Sequence, residues 1–264
     1  MLDRIFDLPL SVTCPGIIAA LCLPVLCGLL LVRRHVLPRL RGKPEDSEFT
    51  GAVMQSVMVF YGLAVALMAV NVSETYNDVS KIVSSEATAL AVVYRGVSSY
   101  PEPARQRLRN ELRGYVEYII HDAWPRQQQG KSPQGGVERI NSLQDILTAF
   151  EPVTEGQKLL HGETLRAWNE MIFARRLRLD AVNTGLSGVM WIVVAAGAFI
   201  ALSVSWFFKV EDGRLHGALV FLLSAFVGLV IFMILALDRP FRGELGLSSE
   251  PYQLILRELM TDNR

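Results

Sequence analysis

Few residues in this chain stand at spacings that do chemistry. Four histidines, His35, His121, His161 and His216, are scattered among three regions, and no His-x3-His pair occurs. The three cysteines, Cys14, Cys22 and Cys27, lie in or beside one apolar run without Cys-x2-Cys spacing, so a tetrahedral zinc site lacks its ligands. Thiols in such a run are expected as small packing residues rather than ligands. No Gly-x-Ser-x-Gly elbow and no glycine-rich phosphate loop is present, which leaves acyl transfer and nucleotide chemistry without a frame. The nearest acid–base pair is His121-Asp122 beside Trp124, but neighbouring residues of a helix do not face each other. No catalysis, metal or cofactor is therefore expected. A different kind of site is suggested by Asn71, Glu74, Tyr76 and Asn77, polar residues at the edge of a long uncharged run. At membrane depth such groups usually face an aqueous interior. As an ordinary helix end they would sit in headgroups and water, with Tyr76 in the aromatic belt.

The elements that position these residues are membrane helices. Residues 51–72 contain no charge and are long enough for a bilayer crossing at ~1.5 Å per residue. From Asn71 onward Glu74, Asp78, Lys81 and Ser85 arrive at helical spacing, while Val79, Ile82, Val83 and Leu90 keep an apolar stripe, so one helix continues out of the membrane. Further spans are read at residues 16–32, 186–208 and 217–237, the first with Pro24 as an internal kink that neighbouring helices can tolerate. Arg33 and Arg34 directly after the first span are the wrong flank for signal cleavage, so it reads as a retained anchor. With 51% hydrophobic and 20% charged residues and zero formal charge, the chain has no basic face for nucleic acid. The expected fold is all-α: four spans, with a helical soluble domain inserted between spans 2 and 3. The divisions are an anchor and basic linker (1–50), the second span (51–72), a soluble domain continuous with the membrane helices (73–182), a hairpin of spans 3 and 4 (183–237) and a C-terminal tail (238–264). The positive-inside rule puts the basic linker in the cytoplasm and the soluble domain outside, while Arg175, Arg176, Arg178, Arg239 and Arg242 pull the other way.

The soluble part reads as helix, turn and helix throughout. Tyr100-Pro101-Glu102-Pro103 makes a rigid turn and a proline-primed start for a helix carrying Leu108, Leu112, Tyr115, Val116 and Ile119 on one face, closed by Pro125. Residues 126–136 read as a loop and 137–150 as the next helix. Thr154-Glu155-Gly156-Gln157 matches a capping box opening a long helix that should run on into the third span. Glu86, with Arg95 further along the same helix, is expected to pair with Arg175 or Arg176 and so set the register of the two long helices. Small residues four apart, Gly62 with Ala66, Gly197 with Ala201 and Ser224 with Gly228, allow close helix packing within or between subunits. Asp238-Arg239-Pro240-Phe241 reads either as a helix stop with an anchoring aromatic or as a pore-side or subunit-contact element.

Several segments together carry a family resemblance: Tyr61-Gly62-Leu63-Ala64, Ser84-Ser85-Glu86-Ala87 through Tyr94-Arg95, Leu112 through Trp124-Pro125, Ala174-Arg175-Arg176-Leu177-Arg178, and Leu237-Asp238-Arg239-Pro240-Phe241-Arg242-Gly243. Over about residues 50 to 258 the chain resembles the bacterial bestrophin-like (DUF4239) membrane family. A more distant likeness to true bestrophins rests on four spans and on Pro240-Phe241-Arg242-Gly243. That likeness implies a homo-oligomeric anion channel, pentameric in bestrophins, with the second span lining the pore. Met54, Met58, Phe60, Tyr61, Asn71 and Glu74 would then be its lining candidates, the large apolar ones forming a constriction that gates by dewetting. The acidic cluster that follows the Pro-Phe segment in calcium-gated bestrophins is absent, only Glu244 and Glu250 being nearby, so calcium gating is not implied. Bestrophins also keep their soluble part in the cytosol, opposite to the reading from charge.

The expectation is thus a multi-pass protein of the bacterial inner membrane, not an enzyme, whose partners are membrane lipid, further copies of itself and small anions. The rival reading is a sensor or scaffold whose soluble domain binds a partner or ligand and transmits through the long helices.

Overall fold

The computed structural model describes residues 8–36, 38–39, 44–133, 135–208, 210 and 212–261. Among these residues every regular element is helical. The α-helices are α1 (Leu10–Leu31), α2 (Pro44–Val97), α3 (Ala104–Tyr118), α4 (Trp124–Gln128), α5 (Gly136–Thr148), α6 (Glu155–Asp180), α7 (Gly188–Val204), α8 (Gly213–Asp238) and α9 (Glu250–Glu258). Four helical stretches are long and apolar enough to cross a membrane, in α1, α2, α7 and α8, as the sequence predicts. The chain is an all-α, four-span membrane protein.

Two compact units divide the chain: residues 1–74 with 185–238, and residues 75–184 with 239–264. In the first, α1 lies along α8. Val25 and Leu29 pack with Val220 and Val227, and Gly228 comes so close to Ile18 that an added Cβ would stand 3.3 Å from its Cα. Ser224 beside it is fully buried and satisfies its hydroxyl on the Val220 carbonyl at 2.7 Å, as a polar group must where no water is available. Gly197 on α7 receives the Tyr61 ring of α2, and a Cβ there would meet it at 2.8 Å. Two of the three small-residue pairs are thus used inside the chain. Gly62 of the third meets nothing within 4 Å.

The second unit closes around one apolar core. Val79, Val83, Leu90, Val93 and Val97 of α2 meet Leu108, Leu112 and Val116 of α3, Leu143 and Leu147 of α5, and Trp168 and Met171 of α6. Each set falls at three- and four-residue spacing on its helix. The capping box at the start of α6 is formed: the Thr154 hydroxyl accepts from the Gln157 backbone at 3.2 Å, and the Gln157 side chain accepts from the Thr154 backbone at 3.3 Å.

Two expectations are revised. The long helix does not run on into the third span: α6 ends at Asp180, a 3-10 turn covers Ala181–Asn183, and α7 starts afresh after Ser187, whose hydroxyl caps the Met190 backbone at 3.4 Å. Helical spacing alone does not reveal this break, where Thr184 is extended and Ser187 caps a new helix. Pro125 does not close the helix after α3. A π-helical turn at Ile119–Ala123 widens the backbone, and α4 continues with the proline in its first turn, where the missing N–H costs nothing. Within the C-terminal segment, α9 buries Tyr252 and Ile255 in the core of the second unit.

Leu90→Ala, in the centre of the second unit, should cost about 2–5 kcal/mol, because the helices around it cannot fully collapse into the void. Thr154→Ala should cost about 1 kcal/mol. Thermal unfolding of the detergent-solubilised protein should place the first variant well below the second and both below wild type.

Candidate functional site

Helix α2 carries most of the residues singled out by sequence, and the structure sorts them by face. Val65 and Val72 are buried against Leu186 and Ile234, with Tyr61 and Met68 packed beside them. Met54 and Met58 lie half-buried on the same side, and the Tyr61 hydroxyl donates to the Val194 carbonyl at 3.4 Å. On the opposite side Phe60 is 73% exposed, with Leu63, Leu67 and Val70 also open. Asn71 and Glu74 continue that side and are exposed. The six lining candidates therefore divide between a covered face (Met54, Met58, Tyr61) and an uncovered one (Phe60, Asn71, Glu74). Only 6% of the most apolar stretch of this helix is buried within the chain, against 28% and 33% in the spans of α7 and α8.

In the second unit α2 carries Glu86, which has no exposure to water at all. A lone carboxylate in such a place would be prohibitively unstable. Its partner is Arg178, bound as a fork: Nε donates to Oε2 at 2.6 Å and Nη2 to Oε1 at 3.1 Å. The Tyr115 hydroxyl of α3 donates to Oε1 at 3.3 Å and the Tyr252 hydroxyl of α9 to Oε2 at 3.0 Å. Four helices meet on one carboxylate. The expected pairing with Arg175 or Arg176 is not formed. The inward stripe of α6 runs through Thr164, Ala167, Met171, Ala174 and Arg178, so Arg176 points outward and Arg175 lies off the stripe, beside Gly136 and Tyr118. Arg95 is exposed at the far end of α2. The same periodicity, read one step further in the sequence, would have found Arg178; Tyr115 and Tyr252 carried no sequence signal as its companions.

Electrostatics in this cluster follow from burial. Desolvation, and then the Glu86 charge, push the Tyr115 and Tyr252 hydroxyls well above the usual tyrosine range. Burial alone would pull the Arg178 guanidinium down, but the Glu86 charge outweighs it and holds arginine protonation above its ordinary value. The quartet is an ion pair clamped by two neutral hydroxyls.

The residues after α8 serve the chain's own backbone. Asp238 is buried and accepts from the Leu186 N–H at 2.6 Å, taking up a donor left free ahead of α7. Arg239 donates to the carbonyls of Asn183 at 2.7 Å and Thr184 at 3.4 Å. Phe241 is buried edge-on against Trp124, whose indole N–H donates to the Leu247 carbonyl at 3.2 Å. Pro240 ends the helix and its carbonyl accepts from Leu247 at 2.7 Å. Among the described residues no group of three or more histidine, cysteine or acidic side chains could hold a metal ion.

Comparison with known proteins places this architecture. Residues 19–252 match the Bestrophin-like domain family. Two solved structures are similar across 95% of this chain and 99% of their own at 10% identity: a membrane protein bearing a point substitution, with a TM-score of 0.68, and a bacterial bestrophin homologue from Klebsiella pneumoniae, also a point variant, with a TM-score of 0.64. At that identity the likeness is one of fold. No curated protein matches the chain.

Removing one side of the buried pair should be costly. Arg178→Met is expected to destabilise the protein by about 3–5 kcal/mol, since it strands a buried carboxylate, and Glu86→Gln added to it should recover part of the loss. Because the two tyrosines are raised in the folded state, unfolding exposes groups that ionise more readily. Stability should therefore be intact below about pH 10, the ordinary tyrosine value, and fall as pH rises above it. Tyr252→Phe should flatten that fall, which alkaline unfolding followed by tyrosine absorbance would check.

Proposed function

The chain belongs to the Bestrophin-like domain family, and we propose that it is a homo-oligomeric ion channel of the bacterial inner membrane whose pore is lined by α2. The observation that carries this reading is the uncovered face of α2. A span that serves only as an anchor can lie bare against lipid, but it gains nothing there from Asn71 at its edge, since polar groups near membrane depth favour a wet interior. Phe60, Leu63 and Leu67 supply the large apolar side chains from which a dewetting constriction is built. Gly62, where an added Cβ would meet nothing within 4 Å, and the exposed Ala66 border that face and let a second helix approach closely. Copies arranged about an axis would cover the flanks of α2 and leave Phe60, Asn71 and Glu74 toward the lumen. The spans of α1, α7 and α8 and their contacts with lipid form the outer wall. No chemistry is required of such a protein, in keeping with the absence of any catalytic spacing in the sequence.

Purified protein in liposomes should pass small ions above the level of empty vesicles. Phe60→Ala, which thins the constriction, should raise flux several-fold, whereas Asn71→Leu should lower it several-fold by drying the mouth. Wild-type vesicles that leak no more than empty ones would refute the reading.

A further inference from the structure

Helices α1 and α8 run antiparallel in the membrane unit. Ile18 lies against Gly228, the Cys22 thiol faces the Phe221 carbonyl at 3.9 Å, and the Arg33 guanidinium occupies the place where a Cβ on Gly213 would stand. The end of α1 and the start of α8 therefore meet at one edge of the bilayer. Trp206, packed onto Gly28 from the 3-10 turn Ser205–Phe207, marks the headgroup level there. Bases gather at this edge. A π-helical turn after α1 carries Arg33, Arg34 and His35, Arg39 follows it, and Arg214 stands in the first turn of α8. Arg34, Arg39 and Arg214 are exposed, and among the described residues none of the three forms an ion pair. Cations at the end of α1 suit that helix's dipole, but Arg33 and Arg214 also border the start of α8, where the backbone N–H groups are themselves positive. Of the nearby acids, Asp212 accepts from the Arg214 N–H at 2.8 Å, and Glu45, Asp46 and Glu48 fall in the first turns of α2, where they suit that helix's own N-terminus. Just inside the bases, Leu30 and Leu31 on α1 and Leu215 and Leu219 on α8 are exposed.

We propose that this edge binds an anionic phospholipid. Its phosphate is held by Arg34 and Arg214, the arginines that flank the contact of Arg33 with Gly213, and its acyl chains lie on the exposed leucines of α1 and α8. Basic pockets between membrane helices recognise anionic headgroups in this way, each base near the surface adding to the attraction. Arginine suits the task because its planar fork meets two phosphate oxygens at once. A zwitterionic lipid brings its own ammonium group and gains less from three unpaired cations. The bound phosphate also meets the N–H groups at the start of α8, which relieves the crowding of positive charge there. The site is complete within one chain, so the inference stands apart from the channel reading above and needs no neighbouring copy.

The test uses the full-length protein in non-ionic detergent, with native mass spectrometry to count retained lipid and thermal unfolding to read its effect. Dioleoylphosphatidylglycerol should bind and raise the unfolding temperature more than dioleoylphosphatidylcholine does, and the difference should shrink as salt rises. Arg34→Gln and Arg214→Gln should each weaken phosphatidylglycerol binding about fivefold, and Arg34→Lys should keep most of it. Arg107→Gln, at an exposed position on α3 of the other unit, should leave it unchanged. The comparison of the two lipids on wild type tests the proposal without any variant. Equal binding and an equal rise with both lipids would overturn it, as would phosphatidylglycerol binding that survives both glutamine substitutions undiminished. An equal rise with inorganic phosphate alone would overturn it too, making this a site for a free anion rather than a lipid.

Discussion

A carboxylate with no access to water has to be matched, and the soluble unit is arranged around meeting that demand at Glu86. Both of its oxygens are filled, each by one nitrogen of the Arg178 fork and one tyrosine hydroxyl. Because the four donors come from three other helices, none of those helices can slide without exposing an unpaired charge in an apolar core. The pair contributes register more than net stability, since two leucine-like side chains could fill the same volume at little loss. The apolar contacts of Leu90, Leu108, Leu112 and Met171 supply the cohesion; Glu86 decides which arrangement of them is allowed.

The membrane unit answers a different constraint. In lipid there is no hydrophobic drive to bring helices together, so contacts depend on small residues and on satisfied polar groups. Gly228 against Ile18, Gly197 against Tyr61 and the self-satisfied Ser224 hydroxyl all serve that purpose. Asp238 does the same for the backbone, meeting the Leu186 N–H where the chain re-enters the apolar region without a helical partner for it. Helix α2 is the least covered of the four spans, with 6% of its most apolar stretch buried, and its open side leads on to the polar and acidic residues on which the functional reading turns.

Proline and cap chemistry explain where the sequence reading went astray. Pro125 looked like a stop because a proline inside an α-helix removes a hydrogen bond; the π-turn at Ile119–Ala123 moves that position to a helix start, where there is no bond to remove. The join before α7 looked continuous because both sides are helix formers, and only the 3-10 turn at Ala181–Asn183 and the Ser187 cap show that the helix is broken there. The nine residues of α9 are too short an amphipathic helix to be stable on their own in water, so they depend on the core they pack against. Its Tyr252, set against Trp124 and Glu86, is fully buried.

Sequence by itself determined the all-α class, the four apolar spans, the continuation of α2 beyond its uncharged run and the capping box of α6, because each is written in local spacing: runs of uncharged residues, three- and four-residue stripes, and a threonine three places before a glutamine. It also shows none of the His-x3-His, Cys-x2-Cys or Gly-x-Ser-x-Gly spacings on which metal and nucleophilic chemistry are usually built. Tertiary structure alone decided that Arg178 rather than Arg175 or Arg176 meets Glu86, that Tyr115 and Tyr252 complete the pair, and that Tyr61 is packed while Phe60 is open. Those outcomes depend on which side of a helix its neighbours cover. A residue's own surroundings in the chain do not encode that choice; the competition of several helices for one apolar core and one buried charge does.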